Sequence, residues 1–329
     1  MSIIVFGSIN MDLVAKTHRL PQPGETFIGQ EFFTAPGGKG ANQAVAAARL
    51  GIPTYMVGRV GSDSFGQELL ASLQTAGVNA NYVFTDKAIS SGVAIIAVDD
   101  RGENTIIIIP GANGRMGESD LERLQDLLPE ADVLLLQLEI PLDALQAAAR
   151  AARQAGVTVI LDPAPARFDL PEELYSLVDI ITPNEIEAAQ LTGLAVDSPE
   201  TASQAAAELL RRGVGTAIIK LGDRGVVYAT AEDRGKTLAD KNIQLKDNLS
   251  VPINPYQFLP AFSVEAVDTV AAGDAFNGAM AAALASGKSI GEAVVWGAAA
   301  GALCATKPGA QPSMPDRATF DNFLSTSSL

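Results

Sequence analysis

The chain has 329 residues, 47% of them apolar but only 5% aromatic, and a formal net charge of −15. Ala, Val, Ile and Leu must therefore build the core, which favours helices on a buried sheet, and the acidic balance opposes binding to a nucleic-acid backbone, which needs clustered Lys and Arg. One cysteine, Cys304, excludes an intrachain disulfide, and one histidine, His18, excludes zinc sites built on several histidines, so acid–base chemistry is expected from carboxylates or lysine.

The N-terminus MSIIVFGSINMD lacks a basic n-region, and its apolar run is too short for a signal peptide or a membrane span. The expectation is a soluble, cytoplasmic protein with no membrane partner. Residues 3–7 read as a buried strand, followed by Gly7-Ser8-Ile9-Asn10-Met11-Asp12. An extended segment would set Asn10 and Asp12 on one side, as paired acceptors for sugar hydroxyls, and ordinary Asn and Asp turn chemistry accounts for them equally. Pro36-Gly37-Gly38-Lys39-Gly40-Ala41-Asn42-Gln43 then opens an Ala-rich helix. Close backbone approach, an ammonium and an amide could hold a polyol, and a tight loop before a helix needs none of that.

Further apolar strands are predicted at 54–60, 132–138, 157–161, 179–181 and 215–220, with amphipathic helices at 142–155 and 199–212. The alternation implies parallel βαβ winding, with the site at the strands' C-terminal ends. Two stretches break the rhythm, about 10–35 and 92–113. The second contains a hairpin over 92–109 about Asp99-Asp100-Arg101-Gly102. Without crossover helices these pieces should form a small separate sheet over the site, a lid whose apolar strand 104–109 suggests pairing with a second copy. Residues 231–258, rich in Asp, Lys, Asn and Pro, read as a surface insertion.

In Asp268-Thr269-Val270-Ala271-Ala272-Gly273-Asp274-Ala275-Phe276 a strand-like segment gives way to small residues and a helix. Amides of Ala271, Ala272, Gly273 and Asp274 at that helix start could form an anion hole, with Asp274 beside it to accept a hydroxyl proton. Simple helix capping by Asp274 fits the spacing as well. Two Ala-rich helices follow to residue 305, divided near Gly287-Lys288-Ser289. Neither G-x-x-x-x-G-K-[ST] nor a placed G-x-G-x-x-G occurs, so P-loop and dinucleotide readings lack their fingerprints.

Gly-Ser-Ile-Asn-Met-Asp at 7–12, Gly-Gly-Lys-Gly-Ala-Asn-Gln-Ala-Val-Ala-Ala at 37–47, Thr-Pro-Asn-Glu-Ile-Glu at 182–187 and the 268–276 run, in this order, closely resemble the ribokinase-like (PfkB) carbohydrate kinases over nearly the full length. The resemblance implies one α/β domain, 1–329, with a three-layer α/β/α architecture, a mostly parallel central sheet and a small β lid that often dimerises. It implies ATP-dependent phosphorylation of a sugar CH₂OH with Asp274 as base, and sugar contacts from Asn10, Asp12, Gly38, Lys39, Asn42, Glu139 and Asp274. Asn184 and Glu187 match the element that orients magnesium and phosphates, Glu187 through water, although an N-cap with an acidic first turn explains both. Lys220, Gly222 and Gly225, with Gly273, match the nucleotide contacts. Lys220 departs from the hydroxyl residue common there, and its ammonium either contacts phosphate or is exposed.

The run Lys307 to Ser313 resembles a loop that encloses potassium with Asp268 and Val270. The resemblance sets Cys304, Lys307, Gly309 and Ser313 around that ion; Cys304 otherwise reads as core, and a Gly-Pro surface turn is the alternative for the loop. Ala298 replaces a polar residue common near adenine. Within the family, the 37–47 run and Asn10 favour ribose over fructose or adenosine, and deoxyribose remains a close alternative. A non-catalytic sugar-binding regulator keeps the same fold, and a nicotinamide dehydrogenase would need the dinucleotide fingerprint that Gly7-Ser8-Ile9-Asn10 does not supply.

Overall fold

The computed structural model describes residues 1–231 and 256–327. The chain opens with β1 (Ile3–Phe6), β2 (Asn10–Lys16) and β3 (Glu31–Gly37), then enters α1 (Lys39–Arg49). Next come β4 (Thr54–Gly61), α2 (Ser64–Thr75), β5 (Asn79–Asp86), β6 (Gly92–Val98), β7 (Asn104–Ile109) and α3 (Glu118–Gln125). A regular alternation follows through β8 (Val133–Gln137), α4 (Leu142–Gln154), β9 (Thr158–Asp162), α5 (Glu172–Leu177) and β10 (Ile180–Ile181). Helices α6 (Glu185–Thr192) and α7 (Pro199–Arg211) precede β11 (Thr216–Lys220), β12 (Val226–Thr230) and β13 (Gln257–Leu259), and α8 (Ala272–Ala285), α9 (Ile290–Ala305) and α10 (Arg317–Thr326) complete the fold.

The larger sheet has the order β13-β12-β11-β10-β9-β8-β1-β4-β5 among the described residues. It is parallel from β11 to β5, and β12 and β13 add antiparallel at one edge. Its central strands are mostly apolar on both sides because both faces are covered. Ile3, Val5, Val133 and Leu135 pack with Val45 of α1, Met280 of α8, Val294 of α9 and Phe320 of α10. Their neighbours Ile4, Phe6, Leu134 and Leu136 pack on the opposite face with Leu145 of α4, Leu191 of α6 and Leu209 of α7. The period of two along a strand thus produces the three layers expected from the sequence. A buried Leu or Ile of this kind contributes about 1.5–3 kcal/mol.

Every strand and helix range read from the main alternation falls within two residues of an observed element. Two edge regions were not legible. β5, Asn-Ala-Asn-Tyr-Val-Phe-Thr-Asp, is half exposed and has no sustained apolar run. The insertion expected at 231–258 lies outside the described residues except for 231 and 256–258, and Gln257 and Phe258 there belong to strand β13. A further correction concerns the segment before α8, which is not a strand. The amides of Val267 and Asp268 instead donate to the carbonyl of Ala305, at 2.8 and 3.1 Å, satisfying one of the free carbonyls that end α9.

A separate four-stranded sheet has the order β3-β2-β6-β7. The 92–109 hairpin is β6 paired antiparallel with β7, and β6 runs parallel to β2. Ile95, Ile106, Ile107, Ile108, Ile109 and Phe32 are exposed on this sheet. Beneath it, α8 approaches α1 closely enough that a Cβ at Gly278 would lie 2.5 Å from the Ala46 Cβ and 2.6 Å from the Gln43 carbonyl oxygen.

Candidate active site

Ser8 follows β1, Glu139 follows β8, Asp162 ends β9, Asn184 follows β10 and Lys220 ends β11, so the C-terminal edge of the sheet collects polar side chains from five neighbouring strands. The N-termini of α1 and α8 open onto the same edge. A cavity of about 800 Å³ runs along it, with Lys39, Asp162, Glu187, Lys220, Gly273 and Asp274 in its wall.

At the start of α8, Ala271 caps the helix with φ 60°, the only non-glycine positive φ among the described residues. The left-handed conformation costs an L-residue roughly 1–2 kcal/mol, and it turns the chain sharply into the helix whose first amides point at the cavity. Asp274 sits in that first turn, 5% exposed. Asn42 Nδ2 donates to its Oδ2 and Gln43 Nε2 to its Oδ1, both at 3.0 Å. Burial pushes the Asp274 carboxyl up to about 6, with Lys39 opposing that rise and Asp162 adding to it.

On the small-sheet side, Glu139 Oε2 accepts from Ser8 Oγ at 2.5 Å, from the Lys39 amide at 3.3 Å and from Asn10 Nδ2 at 3.4 Å. Asn10 is fixed from behind by Asn113, whose Nδ2 donates to Asn10 Oδ1 at 2.7 Å while its Oδ1 accepts from the Ile9 amide at 3.0 Å. Burial, then Glu139, then Asp274, drive the Asp12 carboxyl up to about 7. Lys39 is held protonated well above the usual lysine range: burial works against its charge, but Asp274, Asp162, Glu139 and Glu187 together outweigh it. Gly38, with φ 89°, passes so near β2 that a Cβ would stand 2.6 Å from the Asn10 amide nitrogen. Asn42 Oδ1 is buried without a hydrogen-bond partner among the described residues.

On the other side, Asn184 and Glu187 do form a capping box. Asn184 Oδ1 accepts from the Glu187 amide at 2.8 Å, and Glu187 Oε2 accepts from the Asn184 amide at 2.8 Å. Glu187 nonetheless faces the cavity, and burial followed by the nearby Asp162 raises its carboxyl. Lys220 is not exposed. Its Nζ pairs with Asp162 Oδ1 at 3.1 Å and lies 3.4 Å from where a Cβ on Gly273 would be, beside the α8 turn. Gly222, with φ 58°, lines the cavity; Gly225, with φ 99°, lies so close to β13 that a Cβ would meet the Leu259 carbonyl oxygen at 2.2 Å.

The 268–270 and 307–313 segments also meet. Asp268 Oδ1 accepts from the Val270 amide at 3.0 Å and Oδ2 from the Gly309 amide at 2.8 Å. Cys304 Sγ lies 2.9 Å from Ser313 Oγ and 3.7 Å from the Val270 carbonyl oxygen, and Ser313 Oγ donates to Ala310 O at 2.6 Å. Burial raises the Cys304 thiol, keeping it neutral. The Lys307 side chain is exposed. Among the described residues there is no cluster of three or more His, Cys, Asp or Glu suited to a metal ion.

The model of the pfkB family of carbohydrate kinases matches residues 1–317. The chain belongs to that family. The ribokinase of Haemophilus influenzae is 40% identical over 323 residues, covering 98% of each chain. A crystal structure of ribokinase from Thermotoga maritima superposes with a TM-score of 0.82 at 37% identity, covering 98% of this chain and 99% of that one. A structure of Arabidopsis thaliana ribokinase complexed with ribose and ATP also gives a TM-score of 0.82, at 36% identity, covering 98% of both. As a pfkB-family kinase the chain is a phosphotransferase acting on a sugar hydroxyl.

Sequence reading of this kinase brought together Asn10, Asp12, Lys39, Asn42, Glu139 and Asp274 on one side and Glu187, Lys220 and Gly222 on the other, and the fold groups them in the same way. It missed Ser8, Gln43, Asn113, Gln137 and Asp162. Gln137 and Asp162 each close a strand after a run of three or more buried apolar residues, and a polar residue in that position was the available signal. Ser8 and Gln43 lay inside quoted motifs. Asn113, inside the loop after β7, carried no signal.

Proposed function

We propose that this kinase transfers the γ-phosphoryl group of ATP to the primary hydroxyl of D-ribose, giving ribose 5-phosphate and ADP, with Asp274 as the general base. The observation that carries the reading is the position of Asp274. It stands in the first turn of a helix whose free amides face a cavity, between the Asn10–Glu139 cluster and Lys220.

Asn10, Asp12, Lys39, Asn42 and Glu139 would hold the sugar, with the unpartnered Asn42 Oδ1 open to a hydroxyl. Asp274 takes the hydroxyl proton as that oxygen bonds to phosphorus and the bond to the ADP oxygen breaks. The amides of Ala271, Ala272, Gly273 and Asp274, with Lys39, offset charge on the transferring group. The donor set near Glu187 suits a hard cation that keeps most of its water, so Glu187 and Asn184 would hold magnesium through water. Magnesium held there would supply positive charge against the phosphates. Oxygen donors around Asp268, Val270, Gly309 and Ser313 suit potassium, with the neutral Cys304 thiol as a wall. Potassium there would steady the turn that carries Ala271.

Residues 10–35 and 92–113 would act as a lid within one domain, excluding water during transfer. The exposed isoleucines of β7 support a homodimer through that sheet. A cytoplasmic location fits a chain whose substrates are ATP and a free sugar. ADP release with magnesium, measured with and without potassium across ribose, deoxyribose, fructose and adenosine, tests the reading. Ribose should give the highest kcat/KM; no ADP above background with any of them would favour a sugar-binding regulator instead.

A further inference from the structure

We propose that Gln43 is a positioning residue for the proton acceptor: its side-chain amide fixes the Asp274 carboxylate against Asp162. The inference rests on the reading of Asp274 as the base. Gln43 is fully buried on α1, and every polar atom of its side chain is committed. Nε2 donates at 3.0 Å to Asp274 Oδ1 and at 3.0 Å to Asp162 Oδ2, and Oε1 accepts at 2.7 Å from Gln137 Nε2. Ionised carboxylates cannot donate, so the amide has one workable orientation, with its NH₂ between the two acids and its oxygen on Gln137. Asn42 holds the other Asp274 oxygen. Each oxygen of the acceptor therefore receives one rigid amide donor from adjacent residues of α1, and the remaining lone pairs are aimed rather than free to rotate.

Gln137 adds an independent argument. It ends the strand Val-Leu-Leu-Leu-Gln, is fully buried, and leaves its own Oε1 without a partner among the described residues. A leucine there would avoid that cost, so packing does not explain the glutamine, whereas orienting Gln43 does. The far end of the bridge is equally purposeful, because Asp162 also carries Lys220, whose ammonium stands beside the α8 turn. One amide thus joins the acceptor of the proton, through Asp162, to a cation beside the anion hole.

The test uses the full chain with Gln43→Met, Gln43→Glu, Gln137→Met and Asp274→Asn, measuring kcat, the KM for sugar and the pH dependence of kcat. The charged or titratable groups facing Asp274 are Lys39 of α1, Asp162 at the end of β9, Asp12 of β2 and Cys304 of α9, and none of them is altered by the Gln substitutions. Gln43→Met should lower kcat about tenfold or more with a much smaller change in KM, and should move the acid limb of the kcat profile to higher pH, because a donor to the ionised form is lost. Gln43→Glu should move it further, and Gln137→Met in the same direction by less. Parent kcat with a superimposable acid limb in Gln43→Met, or a uniform kcat loss at all pH with no displacement, overturns the proposal. If Gln43→Met does not fold, Gln137→Met decides on the same criterion. Near-parent turnover in Asp274→Asn would instead overturn the base itself.

Discussion

Asn42 Nδ2 donates to Asp274 Oδ2 at 3.0 Å, tying the first turn of α1 to the first turn of α8. That contact joins the sugar-side motif to the proposed base. Asp274→Asn should keep the fold and lower turnover by roughly 10²–10⁴-fold, since an amide cannot take the proton. In the parent protein the carboxyl sits at about 6, so kcat should fall as pH drops through that value. A coupled ADP assay from pH 5 to 8 on both proteins checks this.

Asp12 provides a stability test with a defined sign. Its carboxyl rises from 3.8 to about 7 on folding, so between those values the folded chain holds a proton that the unfolded chain has lost. Stability therefore falls as pH rises through that window, and above about pH 7 the buried charge is a standing cost. Asp12→Asn should raise the melting temperature of the free protein at pH 8, by the equivalent of about 2 kcal/mol, while weakening sugar binding. Thermal unfolding at pH 5 and 8 should show a clearly larger gain at the higher pH.

The Lys220–Asp162 pair is buried, with side chains 13% and 3% exposed. Removing one partner strands the other charge. Lys220→Thr should destabilise by about 3 kcal/mol, whereas Asp162→Asn combined with Lys220→Thr should recover most of the loss, because no uncompensated charge remains. Urea unfolding of the two single variants and the double variant measures the coupling.

Gly278 allows α1 and α8 to touch. Gly278→Ala forces the helices apart, which should cost about 1–3 kcal/mol and should also lengthen the reach from Asn42 and Gln43 to Asp274. Denaturant unfolding and turnover on one preparation should therefore decline together.

Ile107 is 58% exposed on the outer strand of the small sheet. If that strand meets a second copy, Ile107→Glu should shift sedimentation towards the monomer. An unchanged sedimentation profile would remove the small sheet as the contact.

The central layers were legible because continuous apolar runs such as Ile-Ile-Val-Phe and Val-Leu-Leu-Leu leave little choice but a strand covered on both faces. β5 was not, since an edge strand with mixed exposure lacks that pressure. In the site, glycine-rich turns and charged residues announced themselves, and resemblance gave them roles. Lys220 could be named but not placed, because its partner Asp162 lies 58 residues away and only the sheet order brings them together. Gln43 and Gln137 were overlooked for a related reason: an amide counts for little in sequence until its geometry fixes which way it faces.

The layered packing also sets an order on biosynthesis. α8 shares with α1 the cover of the sheet face formed by Ile3, Val5, Val133 and Leu135, yet it comes from residues 272–285. A chain leaving the ribosome therefore carries its earliest strands with one oily face only partly covered, by α1, until about six-sevenths of synthesis is done. The same helix carries the proposed base. Closing the core and completing the catalytic group are then a single late event, and any chain cut short before it would lack both.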